Sequence, residues 1–163
     1  MNLTNKLKKK EGGFTIIEVV LVLAIAGLIF LIVFLALPAL QRSQRDTQRK
    51  NDLSRFMSQL TQYQSNHQGA IPTGTGASAW NANFVSAYLT NNNQTFNDPD
   101  TGVQYVVTVY TGVTTPLPSA KGQLNVYTGT TCANGTLTTT GAGARSVSGV
   151  VFLEQGGTLC QNN

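Results

Sequence analysis

The stretch that decides the fold is Phe14–Leu37, which reads FTIIEVVLVLAIAGLIFLIVFLAL. Its 24 residues hold one charge, Glu18, and one hydroxyl, that of Thr15. At about 1.5 Å per residue a helix of this length spans roughly 36 Å, enough to cross a bilayer core with some tilt. A helix apolar on every side is at odds with the surface of a soluble domain. The stretch therefore predicts a membrane-inserting helix. A secretory signal would have a shorter apolar core and a small-x-small exit. The exit here is Leu37-Pro38-Ala39, a poor cleavage site, so the helix is expected to stay in the mature chain.

Working outward, charge collects at both ends of this run. Lys6, Lys8, Lys9 and Lys10 precede it, with Glu11. Arg42, Arg45, Arg49, Lys50 and Arg55 follow it, with Asp46 and Asp52. The positive-inside rule is close to a tie. The cysteines supply the orientation. Cys132 and Cys160 are the only two and both lie far to the C-terminal side. As a disulfide they require an oxidising compartment, which puts the C-terminal part outside the cytoplasm and Met1 inside. The alternative is two free buried thiols.

Glu18 sits five residues into the apolar run. An ionised acid in a membrane helix needs a partner. None exists in residues 14–37, so Glu18 is either protonated, reaching to the headgroups, or paired with a group from elsewhere. The residues before it sharpen the choice. Lys8-Lys9-Lys10-Glu11-Gly12-Gly13 leads into Phe14-Thr15-Ile16-Ile17-Glu18. A short basic leader, a glycine, a phenylalanine and a glutamate at the fifth mature position together resemble the processing site of type IV prepilins. Pseudopilins of type II secretion and of DNA uptake share that N-terminus. The resemblance covers residues 6 to about 37; beyond them only the architecture is similar.

This resemblance implies cleavage between Gly13 and Phe14 by a membrane prepilin peptidase, and N-methylation of Phe14. It implies that the new amine of Phe14 pairs with Glu18 of a neighbouring subunit, setting axial register. It also implies partners: further copies of the chain in a helical homopolymer, a cytoplasmic assembly ATPase, a membrane platform, and lipid before assembly. One departure stands out. Prepilins often carry a proline nearer the middle of the apolar segment, whereas here the nearby proline is Pro38, at its end. A kink is expected between Gly27 and Pro38.

The resulting organisation is a leader over 1–13, a transmembrane and filament-core helix over 14–37, an amphipathic continuation over 38–67 and a globular head over 68–163. In the continuation Leu53, Phe56, Met57, Leu60 and Tyr63 recur at helical spacing. Arg42, Arg45, Arg49, Asp52, Gln59 and Gln62 occupy the other face, read as solvated. Arg42/Asp46 and Asp46/Lys50 are i,i+4 pairs. The basic cluster is a weak DNA or headgroup signal, because no aromatic residues interleave with it. His67 stands alone at the end, and Gly69 and Pro72 stop the helix.

In the head, a short helix is expected over Asn81–Leu89, with Ser78 as its cap. Strands are expected over Val103–Tyr110, Gln123–Tyr127 and Ser146–Leu153, with Asn134-Gly135 a tight turn. The fold class predicted is α+β, a long helix packed on an antiparallel sheet of three or four strands, the last strand pinned by Cys132–Cys160. Asn97-Asp98-Pro99-Asp100-Thr101-Gly102 reads as a turn before it reads as a calcium loop. Asn93-Gln94-Thr95 and Asn134-Gly135-Thr136 match the N-glycosylation pattern, a short motif that also arises by chance.

Composition bounds the function. The chain has 163 residues, 41% hydrophobic and only 11% charged. That suits one domain with a real core and argues against a disordered polyampholyte or long coiled coil. Residues 68–163 are nearly neutral, so the basic balance is not a nucleic-acid signal. One histidine and two cysteines are too few for a usual zinc site. No P-loop, GxSxG or HExxH is present. No cofactor is expected. The reading is a non-enzymatic filament subunit, held in the cytoplasmic membrane as a single-pass precursor and displayed outside the cell for adhesion, motility or DNA uptake. The competing readings are a pseudopilin and a membrane-anchored extracellular binding protein that never polymerises.

Overall fold

The computed structural model describes residues 12–113 and 116–163. Lysines 6 and 8–10 of the expected leader lie outside the described residues. The chain divides into two compact units, at Leu40/Gln41. One helix, α1 (Ile16–Asn66), contributes to both and carries Pro38 inside it.

Within the first unit the apolar side chains of α1 are exposed on all sides, from Ile16 to Leu37 and Leu40. A stretch this apolar with none of its most hydrophobic window buried meets the length and composition requirement for a membrane span.

In the second unit the other half of α1 is amphipathic. Leu53, Phe56, Met57 and Leu60 are buried on one face, with Tyr63 packed at its edge. The helix closes through a Schellman-type arrangement: Gln68 adopts φ 56° and the Gly69 amide donates to the Gln64 carbonyl at 2.7 Å. Gln68, rather than Gly69 alone, takes the first left-handed position.

The helix face packs on a five-stranded sheet of order β1-β2-β3-β6-β7, made of β1 (Gly76–Ala77), β2 (Val106–Thr111), β3 (Gln123–Thr128), β6 (Val147–Phe152) and β7 (Thr158–Asn162). A separate hairpin joins β4 (Thr131–Ala133) to β5 (Thr136–Thr138). Its turn places Asn134 and Gly135 at φ 50° and 78°, as a two-residue Asn-Gly turn demands. The α+β class holds. The sheet, however, is mixed and not antiparallel throughout, because β2 and β3 run parallel from Val106↔Gln123 to Thr111↔Thr128. Alternating residues report which face a side chain takes and not which way the next strand runs. A parallel pair cannot be joined by a tight hairpin, and residues 112–122 separate the two strands along the chain. The Pro116 carbonyl accepts from Asn125 Nδ2 (2.9 Å) and the Tyr127 hydroxyl (2.8 Å).

The inner face presents Val107, Val109, Leu124, Val126, Val147 and Val151 to the core. Phe56 anchors an aromatic cluster with Trp80, Phe84 and Phe96, meeting Phe84 edge-on at 5.2 Å. At the centre of β6, Gly149 removes a side chain where α1 comes closest. A Cβ there would press on Met57 Cε and lie 2.7 Å from Leu53 Cδ1.

Residues Asn81–Leu89 form a helix as expected, but a π-helix. Its wider hydrogen bonds include Val85 N–H to Trp80 O (3.0 Å), and Phe84, Val85 and Leu89 are buried. Trp80 is its N-cap and no side chain caps it. Ser78 instead takes φ 59° and donates its amide to the Val107 carbonyl. Strand β7 and the short β1 were not read from sequence.

Candidate processing and assembly site

Gly12 and Gly13 precede the helix in non-helical backbone, and nothing crowds either α-carbon. Phe14 is 89% exposed. Thr15 is the residue at which the helix starts, and it does so through a capping box with Glu18. The Thr15 amide and hydroxyl both donate to Glu18 Oε2, at 2.8 and 2.7 Å. The Glu18 amide points back at Thr15 Oγ1 at 3.4 Å. The T-x-x-E spacing that does this was in plain view in the sequence and was not read as a cap. Such caps stabilise a helix start by about 1 kcal/mol.

The box defines the acid's stance. Glu18 is turned toward the helix N-terminus and the helix dipole, which favours a negative charge there. Oε1 makes no hydrogen bond among the described residues. A shallow apolar cleft lies beside it, bordered by Phe14, Val19 and Val22. Gly13, Phe14 and Glu18 are thus all exposed at the start of α1.

Cys132 and Cys160 are disulfide-bonded, with Cα atoms 5.8 Å apart. The bond ties β4 to β7, across β6 from the core. The strand it pins is thus β7 and not the Val147–Phe152 strand. It closes a loop of separation 28, worth about 3–4 kcal/mol in the chain-entropy picture.

The basic face of α1 is not the solvated surface the sequence suggested. Arg49 is buried and holds Asp46 (3.1 Å), Asp98 (2.7 Å) and Glu154 (2.7 Å). Arg45 binds Glu154 through Nε and Nη2, at 2.8 and 2.7 Å. Lys121 joins Asp100 at 2.7 Å. Asp46 does not pair with Arg42 or Lys50. It accepts instead the amides of Glu154 and Gln155, at 2.8 and 3.0 Å. Hydrogen bonding from Arg45, against the burial that opposes it, drives the Glu154 carboxyl down to about 2. Burial pushes the Asp98 carboxyl up, but the Arg49 bonds and the turn amides outweigh it and hold the group below the ordinary range.

Arg55 is spent as well, on the carbonyls of Leu89 and Thr95 and on Gln94. Arg45, Arg49 and Arg55 are thus engaged within the head, whereas Arg42 and Lys50 are exposed. The Asn97–Gly102 segment is a turn organised by Asp98, whose Oδ1 accepts the Asp100 and Thr101 amides. Arg49 pairs with Asp98 and Lys121 with Asp100. Among the described residues no His/Cys/Asp/Glu group is arranged for a metal ion. His67 stacks on Tyr63 with ring centroids 3.9 Å apart and its Nδ1 lies 2.9 Å from the Tyr63 carbonyl, a structural role. Asn93 and Asn134 both occupy exposed turns at positive φ.

Residues 8–34 match the prokaryotic N-terminal methylation motif, which is the signature of type IV prepilins. The chain carries a prepilin-type N-terminus, of the kind found in type IV pilins and pseudopilin-like proteins generally. That motif points to a structural protein and, with the apolar helix, fits a membrane-anchored precursor. No curated protein and no solved structure matches the chain.

Proposed function

We propose that this protein is the subunit of a type IV pilus-like filament. It is stored in the membrane with its N-terminus in the cytoplasm, cut after Gly13 by a prepilin peptidase and N-methylated on Phe14. An ATPase-driven platform then polymerises it through α1. The observation that carries this reading is the methylation motif over residues 8–34, set on a helix whose apolar face is exposed all round.

The chemistry is consistent. Cleavage creates an ammonium on Phe14 at the edge of an apolar environment. Glu18 of a neighbouring copy offers the matching anion, its Oε2 already oriented by Thr15 and its Oε1 unengaged. Pairing the two removes two isolated charges from that environment together. It fixes register more than it adds net stability. The precursor lacks that amine, so cleavage gates assembly. Apolar burial between α1 helices then drives bundling. The disulfide-bonded head faces the oxidising exterior, where adhesion, motility or DNA uptake are properties of the assembled fibre.

Mass spectrometry of the N-terminal peptide from the native membrane and sheared-surface fractions tests this. The expected chain begins at Phe14 and is heavier by one methyl group. A chain beginning at Met1 points to a static anchor, and one beginning after Ala39 to a signal peptide; either overturns the proposal.

A further inference from the structure

A groove of about 280 Å³ runs between the C-terminal part of α1 and the helical turns at Asn81–Leu89 and Asn91–Asn93. Its polar lining is made of amides and one phenol: Gln59, Gln62 and Asn66 from α1, Tyr88 and Asn91 from the turns, and Gln94 beyond them. No ionisable group other than the Tyr88 phenol lines it. Arg55, four residues before Gln59 on α1, has its guanidinium committed to the Leu89 and Thr95 carbonyls and to Gln94 Oε1. That bond also fixes the Gln94 amide and leaves its NH2 group as the free end. Asn66 Nδ2 donates to the Tyr88 hydroxyl at 3.2 Å, so the phenol keeps its own proton to give. Gln59 and Gln62 make no side-chain hydrogen bond among the described residues, although they stand one turn apart on the same helix face.

We infer that this groove binds a neutral saccharide. Gln59 and Gln62 each carry a donor and an acceptor side by side, which matches the paired donor and acceptor of adjacent sugar hydroxyls. The Tyr88 ring is held by Phe84 at 5.6 Å and Tyr63 at 5.4 Å. These contacts fix the position of the Tyr88 hydroxyl at the groove, where it stands as a donor. A phosphate, sulfate or carboxylate would need an uncommitted cation, and the groove has none. An apolar ligand would leave the amides unpaired, at a cost of about 1–3 kcal/mol for each group buried. At about 280 Å³ the groove lies just under the usual range of small-molecule sites. The site is independent of polymerisation, so its failure leaves the filament reading intact.

The test is titration of the full chain with neutral hexose and N-acetylhexosamine oligosaccharides, and with sialylated counterparts. A sulfobetaine detergent is used, because glycosidic detergents would compete. Saturable millimolar or tighter binding of a neutral oligosaccharide is expected. The double variant Gln59→Ala/Gln62→Ala should weaken it about tenfold or more, with thermal unfolding unchanged. Tyr88→Phe, which keeps the ring, should weaken it by a smaller factor. Three outcomes overturn the inference: no neutral sugar binds, only the sialylated ones bind, or the double variant binds as the parent does.

Discussion

Arg49 grips Asp98 with two parallel bonds, Nε to Oδ2 at 2.7 Å and Nη2 to Oδ1 at 3.1 Å, and both side chains are buried. The same guanidinium reaches Asp46 and Glu154 through Nη1. One residue of α1 thus clamps the Asn97–Gly102 turn and the turn between β6 and β7. Removing it leaves Asp98, buried, without its ion-pair partner and takes one bond each from Asp46 and Glu154. Arg49→Ala should destabilise the head by about 3–5 kcal/mol. A melting point lower by roughly 10 °C or more follows for a unit of this size. Arg49→Lys keeps the charge but loses the fork and should recover only part of it. Thermal denaturation by near-ultraviolet circular dichroism measures both.

The same cluster sets the acid limit. Glu154 is held at about 2, below its ordinary 4.5, and Asp98 is also depressed. A depressed acid contributes stability that is fully present above its unfolded value and is lost as pH falls through the folded one. Stability should therefore be flat from neutrality to about pH 5 and fall steadily from there toward pH 2. Glu154→Gln should lower the plateau and make the acid slope shallower. Urea midpoints across that range decide it; an unchanged slope in the variant would show that Glu154 is not the group responsible.

Gly149 is where α1 meets β6. A methyl there overpacks against Met57 and Leu53, so Gly149→Ala should cost about 1–3 kcal/mol. The obstructing atoms are the tips of flexible side chains, so shortening one should relieve the strain. Gly149→Ala combined with Met57→Ala should be less destabilised than the sum of the two single changes. A double-mutant cycle on unfolding free energies reads this directly, and strict additivity would mean the contact is not what confines position 149.

Thr15 governs how Glu18 is presented. Thr15→Val removes the hydroxyl that donates at 2.7 Å and should lower the stability of the first turn by about 1 kcal/mol. Amide hydrogen exchange at Ile17 to Val19 should quicken several-fold in micelles. On the proposed function, Glu18→Ala should still be cleaved after Gly13 yet yield few or no filaments by electron microscopy. Abundant normal fibres from that variant would remove Glu18 from assembly.

The Cys132–Cys160 bond holds the β4–β5 hairpin against β7. Replacing both cysteines by serine should cost about 3 kcal/mol. It should loosen the hairpin first, seen as proteolysis near Asn134-Gly135 ahead of global unfolding. Loss confined to the aromatic core instead would place the hairpin's anchoring elsewhere.

Sequence alone determined what depends on neighbours along the chain. The run Phe14–Leu37 announces a helix long and apolar enough to cross a membrane, because its length and apolarity are properties of a single segment. The spacing of Leu53, Phe56, Met57 and Leu60 names the packed face, because helical periodicity is local. Asn134-Gly135 names its turn, because only certain residues accept those dihedrals. Glu18 was legible as a misplaced charge, and its Thr15 partner lay three residues away, within reach of the same local reading. Only the tertiary structure decided what depends on residues far apart. Arg49 looked like a solvated charge until Asp98 and Glu154, 49 and 105 positions away, closed around it. The parallel pairing of β2 with β3 is likewise a matter of which strands meet, from Val106↔Gln123 to Thr111↔Thr128. The amide groove exists because Gln59 and Gln62 on α1 come to lie opposite Tyr88 and Gln94. Helices and turns are fixed by short-range geometry, whereas burial of a charge or the lining of a groove is set by which distant segments share the core.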